Sequence, residues 1–411
     1  MRSWSTLSPE VRQYFLVTGN YWAFTLTDGA LRMLVVLHFH ALGFSPLRIA
    51  ALFLFYELFG VITNLAGGWL GARLGLNRTM NTGLGLQVAA LLMLAVPAAL
   101  LTMPWVMAAQ AMSGIAKDLN KMSAKSSIKL LVPDHQQGTL YQWIALLTGS
   151  KNALKGAGFF LGGALLALAG FRGSVLLMAA VLVVIWTGSL ILLKQDLGKA
   201  TAKPKFRDIF SKSRAINRLS AARLFLFGAR DVWFVVALPV YLSTVFGWDV
   251  WKVGGFLALW VIGYGMVQTM APALTGKRRG QVPDGRAALV WALMLAVLPA
   301  LIAIGMHLHL PAKTVLLAGL ILFGALFAVN SSLHSYLIVA YARADGVSLD
   351  VGFYYMSNAM GRLLGTVLSG WIFQVYGLGA CLWISSLFVL LAALISTGLP
   401  RHGAGQELHG T

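Results

Sequence analysis

Cysteine is all but missing from this 411-residue chain, where Cys381 stands alone. That excludes an internal disulfide, a thiolate metal cluster and a three-thiol site for a soft trivalent metalloid. Acidic residues are also scarce, 13 Asp+Glu against 32 Lys+Arg. Charge of either sign makes up only 11% of the chain and apolar residues 58%, where soluble domains carry about 25% and roughly 45–50%. This balance, with a mean hydropathy of +0.76, excludes an ordinary soluble domain and describes a polytopic membrane protein. No G-x-x-x-x-G-K-[ST] loop and no G-x-G-x-x-G after a strand occurs, so ATP-driven pumping has no support. His38, His40, His307, His309 and His334 lack metal-ligand spacing. No metal, cofactor or catalytic residue is implied.

What is present is a series of apolar runs, each long enough to cross about 30 Å of hydrocarbon. They fall near 14–41, 45–71, 79–101, 104–131, 138–167 and 171–193, then near 219–246, 249–275, 287–306, 313–341, 349–376 and 379–399. Residues 1–13 are polar and mixed in charge, so the first run reads as a retained span rather than a cleaved signal. None of the runs alternates with period two, which leaves helices as the way to satisfy the backbone in lipid. The expected fold is therefore an all-α membrane protein of twelve transmembrane helices in two six-helix bundles. Residues 1–193 form the first bundle, 194–218 a basic linker and 219–411 the second bundle.

Loop cations set the orientation. On the side of the termini lie 18: Arg2, Arg12, Arg73, Arg78, the eight between Lys194 and Arg218, Lys277, Arg278, Arg279, Arg286, Arg343 and Arg401. Arg48, Arg172, Lys252 and Lys313 lie opposite. Both termini are therefore expected in the cytoplasm. The net charge of +19 would suggest nucleic acid in a soluble protein. Here the basic linker, whose only acids are Asp196 and Asp208, reads as a solvated connector facing the membrane.

The two halves carry a weak repeat. Asp28 precedes Gly43-Phe44-Ser45 as Asp231 precedes Gly247-Trp248-Asp249, an offset of about 203–204 residues. Such symmetry fits two parallel bundles around a midplane site, the plan of the major facilitator superfamily.

Ten cations lie inside the spans: Arg32, Lys117, Lys121, Lys125, Lys129, Lys151, Lys155, Arg223, Arg230 and Arg362. Each costs about 2.5 kcal/mol or more on insertion scales, so each should face a partner or a wet cavity. The matching acids are only Asp28, Glu57, Asp118 and Asp231. The shortage of anions points to an anionic substrate. Asp28, Glu57, Lys117, Asp118, Lys151, Asn152, Arg230, Asp231, Asn330 and Arg362 fall near the centres of seven different spans.

Lys117, Lys121, Lys125 and Lys129 recur every four residues, and Lys151 and Lys155 repeat the spacing. Like charges stacked this way destabilise a helix, which argues for a binding role. Arg32, Lys117, Lys121, Lys151, Lys155, Asn152, Arg230, Arg362, Asn330 and Tyr355 are the expected substrate-binding residues. Asp28, Glu57, Asp118 and Asp231 would couple protons or hold the cations apart, with Glu57 foremost among them for coupling and a structural ion pair with one of the lysines equally open to it. Several bland readings stand beside these. Asp28 and Arg32 at i,i+4 would neutralise each other, Lys125 and Lys129 would reach the cytoplasmic surface, and Arg223 would tether two helices. Adjacent Arg230 and Asp231 would point about 100° apart, toward different partners. Tyr354, Tyr355, Asn358 and Arg362 would frame a ligand.

Two stretches resemble superfamily signatures. Gly68-Trp-Leu-Gly-Ala72-Arg73-Leu-Gly75-Leu-Asn-Arg78 is similar to the loop between spans 2 and 3 of major facilitators, with Ala72 in place of its acidic residue. The resemblance makes Arg73, Gly75 and Arg78 a gating loop, and Ala72 removes its usual salt bridge. Gly158-Phe-Phe-Leu-Gly162-Gly163 resembles the glycine motif of exporters in span 5, without its proline.

A closer likeness covers nearly the whole chain and is strongest in spans 1–5. The runs from Asn20 to His40, from Ser113 to Ser127 and from Gly149 to Lys155 resemble the ArsJ-type organoarsenical efflux permeases. That resemblance implies export of 1-arseno-3-phosphoglycerate and resistance to arsenate. It also implies a functional link to glyceraldehyde-3-phosphate dehydrogenase and, as a secondary antiporter and a monomer, a place in the bacterial inner membrane. A substrate with a phosphate and an arsenate ester suits a lysine-rich site. The residues alone do not separate arsenate from phosphate, so an organic-phosphate/phosphate exchanger of the same fold stays open beside it. Drug efflux would call for an aromatic, sparsely charged cavity, and a membrane enzyme or scaffold lacks a nucleophile–base pair.

Overall fold

The computed structural model describes residues 8–44, 46–193, 197–201, 205, 213–276 and 282–401. Arg2, Lys194, Asp196, Lys203, Arg207, Asp208, Lys212, Lys277, Arg278 and Arg279, counted above for orientation or for the linker, lie outside the described residues. The described chain is helical almost throughout. The helices are α1 (Pro9–Ala41), α2 (Pro46–Leu52), α3 (Leu54–Leu74), α4 (Leu76–Leu94), α5 (Met103–Leu131), α6 (Gln137–Leu192), α7 (Arg214–Phe234), α8 (Ala237–Thr244), α9 (Val250–Leu274), α10 (Gly285–His307), α11 (Ala312–Tyr341) and α12 (Val347–Ser396).

Starts are marked by side-chain caps that satisfy otherwise orphaned N–H groups. Ser8 accepts from Val11 N ahead of α1, Asp249 from Lys252 N ahead of α9, and Asp284 from Arg286 N and Ala287 N ahead of α10. The two longest helices each break at one glycine. Gly170 (φ 65°, ψ 179°) interrupts α6, and Gly377 (φ 76°, ψ −176°) interrupts α12. A side chain is strained at such a φ, so glycine turns the chain there at least cost. The positive-φ glycines recur in both halves, with Gly43 and Gly247 204 residues apart, Gly75 and Gly276 201 apart, and Gly170 and Gly377 207 apart.

Among the described residues, six helical stretches are long and apolar enough to cross a membrane, all of them from Gln137 onward. The helices α1, α3, α4 and α5 do not meet that measure. Their apolar runs are diluted by buried polar residues, including Asp28, Asn64, Gln87, Gln110, Asp118 and Lys125. Elsewhere large apolar side chains such as Leu168, Val184, Trp251 and Trp371 stand exposed, as lipid-facing side chains do.

Two compact units emerge. The first comprises Met1–Trp143, Ser150–Phe210 and Ala342–Met356, the second Ile144–Gly149, Ser211–Tyr341 and Ser357–Thr411. In the first, α5 runs against α1, α2, α3 and α4. Helices α1 and α6 approach so closely that a Cβ on Gly158 would sit 2.7 Å from Leu26 O and one on Gly29 2.7 Å from Lys155 O. This small-residue contact presses the Lys155 turn of α6 onto the Asp28 turn of α1.

The start of α12 belongs here because Ser348 Oγ donates to Gly68 O of α3 at 2.8 Å. The residues after α6 also return to this unit: Leu76 N donates to Leu197 O, Ala200 N to Ala72 O, and Thr201 N to Asp345 Oδ1 at 2.9 Å. In the second unit α11 packs on α7, α9 and α10. An aromatic stack of Trp233, Phe323, Phe327, Phe227, Trp260 and Tyr264 fills the core there, with centroid spacings of 5.1–5.8 Å along its Trp233–Phe323, Phe323–Phe327, Phe227–Phe327, Trp260–Tyr264 and Tyr264–Phe327 steps.

Candidate functional site

Charged groups gather in the first unit around a tyrosine. Tyr56, Gly60 and Asn64 of α3 are buried, and Glu57 beside Tyr56 is half-buried. The Tyr56 hydroxyl donates to Asp28, 2.7 Å from Oδ1 and 2.9 Å from Oδ2. Its ring lies 3.8 Å from Lys117 Nζ and 5.2 Å from the Arg32 guanidinium. One side chain thus occupies a carboxylate with its edge and steadies two cations with its π face.

Arg32 consequently does not pair with Asp28. Its Nη2 lies 3.1 Å from Glu57 Oε1, and its Cζ stands 5.0 Å from the Phe53 ring. The i,i+4 neutralisation that the spacing allows is replaced by two contacts between helices, because α3 inserts both Tyr56 and Glu57 beside α1.

The lysine row of α5 is dispersed in the same way. Lys121 Nζ lies 2.6 Å from Asp118 Oδ1 and 4.7 Å from the Tyr355 ring, while Lys117 lies 4.0 Å from Asp118 Oδ2. Lys125 is buried and donates to the Tyr355 hydroxyl at 2.5 Å. Lys129 is largely buried and reaches the exposed loop acid Asp134 just beyond the end of α5, at 3.1 Å. Repulsion along the helix is thus relieved by one acid within the row and by aromatic faces.

Lys155 differs from its neighbours. Among the described residues its ammonium makes no hydrogen bond and no ion pair, although Arg32, Asp28, Lys117 and Glu57 are all within electrostatic range. Lys151 and Asn152 are half-buried on the same stretch of α6. Ser150 Oγ accepts from Trp22 Nε1 at 2.7 Å, which holds that stretch against α1. Arg32, Lys117, Lys121, Lys125 and Lys155 together outnumber Asp28, Glu57 and Asp118. The cluster carries a positive excess that an anion would complete.

The second unit holds a separate group. Asp231 is fully buried, with Arg230 Nε 2.6 Å from Oδ1 and Arg362 Nε 3.1 Å from Oδ2. Adjacent Arg230 and Asp231 therefore meet each other, contrary to the expectation from their angular separation. The long arginine side chain curls back while the second carboxylate oxygen serves α12. Arg223 ties three helices, donating to Asn358 Oδ1 at 2.9 Å and Ser331 O at 3.2 Å. Asn358 is thereby committed to a tether instead of framing a ligand. Asn330, expected at the site, is fully buried and donates to Trp291 O and Leu326 O, both at 2.9 Å. The structure gives it a role between α10 and α11.

At the expected gating loop, Gly75 (φ 99°) joins α3 to α4, and Arg73 stacks 5.1 Å from the Trp69 ring. Ala72, which replaces the acid, offers its carbonyl to Ala200 N–H.

Tyr56 escaped the sequence reading, and the surroundings of His334 were not foreseen by it. Tyr56 carries no charge to mark it, and adjacency to Glu57 was the only available signal. His334 is fully buried with both ring nitrogens lacking a partner, near Arg223. Replacing Tyr56 by phenylalanine removes the hydroxyl but keeps the ring over Lys117. Freed Asp28 then competes for Arg32 or Lys155, and stability falls by roughly 1.5 kcal/mol, the effect of losing one charge-assisted hydrogen bond. A thermal melt of purified protein measures this.

The sequence profile of the Major Facilitator Superfamily matches residues 14–345. Comparison with curated proteins finds no match. Several solved structures share the fold. The human organic anion transporter TETRAN is 18% identical, with 95% of this chain and 100% of that one aligned at a TM-score of 0.73. A bacterial homologue of the iron transporter ferroportin, in an outward-facing state, is 14% identical over 93% and 98% of the two chains at 0.73. The E. coli fucose:proton symporter is 12% identical over 95% and 99%, also at 0.73. At these identities the likeness is one of fold. The profile covers most of the chain, and the chain belongs to the major facilitator superfamily, a family of multi-pass membrane carriers of small molecules rather than enzymes.

Proposed function

We propose that the protein is a secondary transporter that exports 1-arseno-3-phosphoglycerate across the bacterial inner membrane by alternating access, and so confers resistance to arsenate. In this reading twelve spans form two six-helix bundles with cytoplasmic termini, joined by the basic linker. The observation that carries it is Lys155, an ammonium that among the described residues has no hydrogen bond or ion pair, in electrostatic range of Arg32 and Lys117 and in a cluster short of negative charge. A phosphoryl or arsenyl ester supplies the missing charge and several acceptor oxygens. Lys155, Lys117, Arg32 and Lys121 hold such a group, and Lys151 and Asn152 border it. The choice of arsenate ester over phosphate ester rests on the resemblance of spans 1–5 to organoarsenical permeases. The absence of a thiol site disfavours arsenite.

Growth in arsenate and cellular arsenic content test the proposal, in an arsenic-sensitive bacterium with and without added glyceraldehyde-3-phosphate dehydrogenase. Resistance with lowered arsenic content that needs both proteins is the expected result. No protection in cells whose membranes contain the protein overturns it in favour of an organic-phosphate exchanger.

A further inference from the structure

The Arg32–Glu57 pair lies within electrostatic range of Lys155 and is only partly shielded. The side chain of Arg32 is 28% exposed and that of Glu57 37%. Both other acids of the cluster are engaged and buried: Asp28 accepts from Tyr56 through both oxygens, and Asp118 holds Lys121 at 2.6 Å. Glu57 is therefore the acid of the cluster most open to solvent. Its partner is also the cation that an anion at Lys155 would need next, because Arg32 lies within electrostatic range of Lys155 and belongs to the Asp28 turn packed on the Lys155 turn.

We propose that Glu57 is a built-in competitor for the anion site: its carboxylate occupies Arg32 while the site is empty and must leave before a substrate phosphoryl or arsenyl group takes that guanidinium. This deepens the functional reading above and rests on it. The charged and titratable groups set against the pair include Asp28 on α1, Tyr56 on α3 and Lys155 on α6, with Lys117 of α5 over the Tyr56 ring.

Competition of this kind lowers apparent affinity by the fraction of protein in which Arg32 is available. It also helps release, because a carboxylate waits beside the departing anion. Glu57 is thus a positioning residue that sets affinity against turnover, and it prevents the cationic cluster from trapping its cargo.

Glu57→Gln separates this role from a structural one. The probes are 3-phosphoglycerate and inorganic phosphate, titrated by calorimetry against purified protein, together with transport in vesicles. If Glu57 holds Arg32 in about nine-tenths of empty molecules, the variant binds 3-phosphoglycerate roughly tenfold more tightly and turns over more slowly. A structural role would weaken both. The Arg32→Gln/Glu57→Gln double variant loses the gain, since no guanidinium remains to be released. Unchanged or weaker binding by Glu57→Gln, or a gain that persists in the double variant, overturns the inference. Lys155→Gln in the same titration keeps the two ideas apart. If it binds normally, the anion-site reading fails. If it loses binding while Glu57→Gln matches wild type, the competitor alone fails. Should Glu57→Gln not fold, Glu57→Asp serves, with a shorter reach to Arg32 and the same expected direction.

Discussion

Lys155→Gln inserts and folds but binds 3-phosphoglycerate about a hundredfold more weakly, a loss of roughly 2–3 kcal/mol for one charge-assisted contact in a desolvated setting. Transport is abolished with it. The argument is one of vacancy. Lys121 and Lys125 already have partners in Asp118 and Tyr355, and Arg32 is held by Glu57. Lys155 has neither hydrogen bond nor ion pair among the described residues, so its removal sacrifices no internal contact and fold stability is kept or improved. Lys117→Gln and Lys151→Gln also abolish transport while the protein still inserts, but Lys117→Gln gives up the contact with the Tyr56 ring as well. Titration, vesicle transport and a thermal melt in detergent check the set. Normal transport by Lys155→Gln, Lys117→Gln and Lys151→Gln would remove the cationic site altogether.

Asp231→Ala has the largest effect on stability. This carboxylate is fully buried between Arg230 at 2.6 Å and Arg362 at 3.1 Å. Deleting it leaves two guanidiniums facing each other without an anion, and breaking a buried pair in this way costs about 3–5 kcal/mol. A fall of roughly 10 °C in melting temperature follows for a unit of this size. Asp231→Asn retains the volume but not the charge and melts nearly as early. Adding Arg362→Gln to Asp231→Asn recovers part of the loss, because the variant then lacks one of the unpaired cations. A melt indistinguishable from wild type for Asp231→Ala would show that hydration, not Asp231, carries those arginines.

Much of this protein is legible in one dimension because lipid imposes a severe rule. A chain that crosses hydrocarbon must satisfy its own backbone, so long apolar runs become helices, and among the described residues six helical stretches are long and apolar enough to cross. The same rule makes every charge inside a run conspicuous, and Asp28, Arg32, Glu57, Lys117, Lys121, Lys155 and Asp231 stand out on composition alone. The internal repeat is visible as a matching of Asp28 with Asp231, and the positive-φ glycines at 43 and 247, 75 and 276, and 170 and 377 strengthen it. The family likewise follows from the sequence, whose profile match spans residues 14–345.

Pairing within the site was not legible. Helical spacing fixes which residues share a face of one helix, and it placed Asp28 opposite Arg32 and set Arg230 away from Asp231. Partner choice depends on how helices rotate and how closely they approach. Small residues such as Gly29 and Gly158 decide that approach, and their effect appears only when both helices are in place. Thus α3 brings uncharged Tyr56 to Asp28 and hands Arg32 to Glu57, Asn330 is claimed by backbone carbonyls of α10 and α11, and Lys125 turns inward to Tyr355. The sequence by itself determined that the chain crosses a membrane and carries more positive charge than its own acids can balance. Which cation is left without a partner was decided by tertiary structure, since a short-range ion pair needs its groups within about 4 Å and only packing sets that distance.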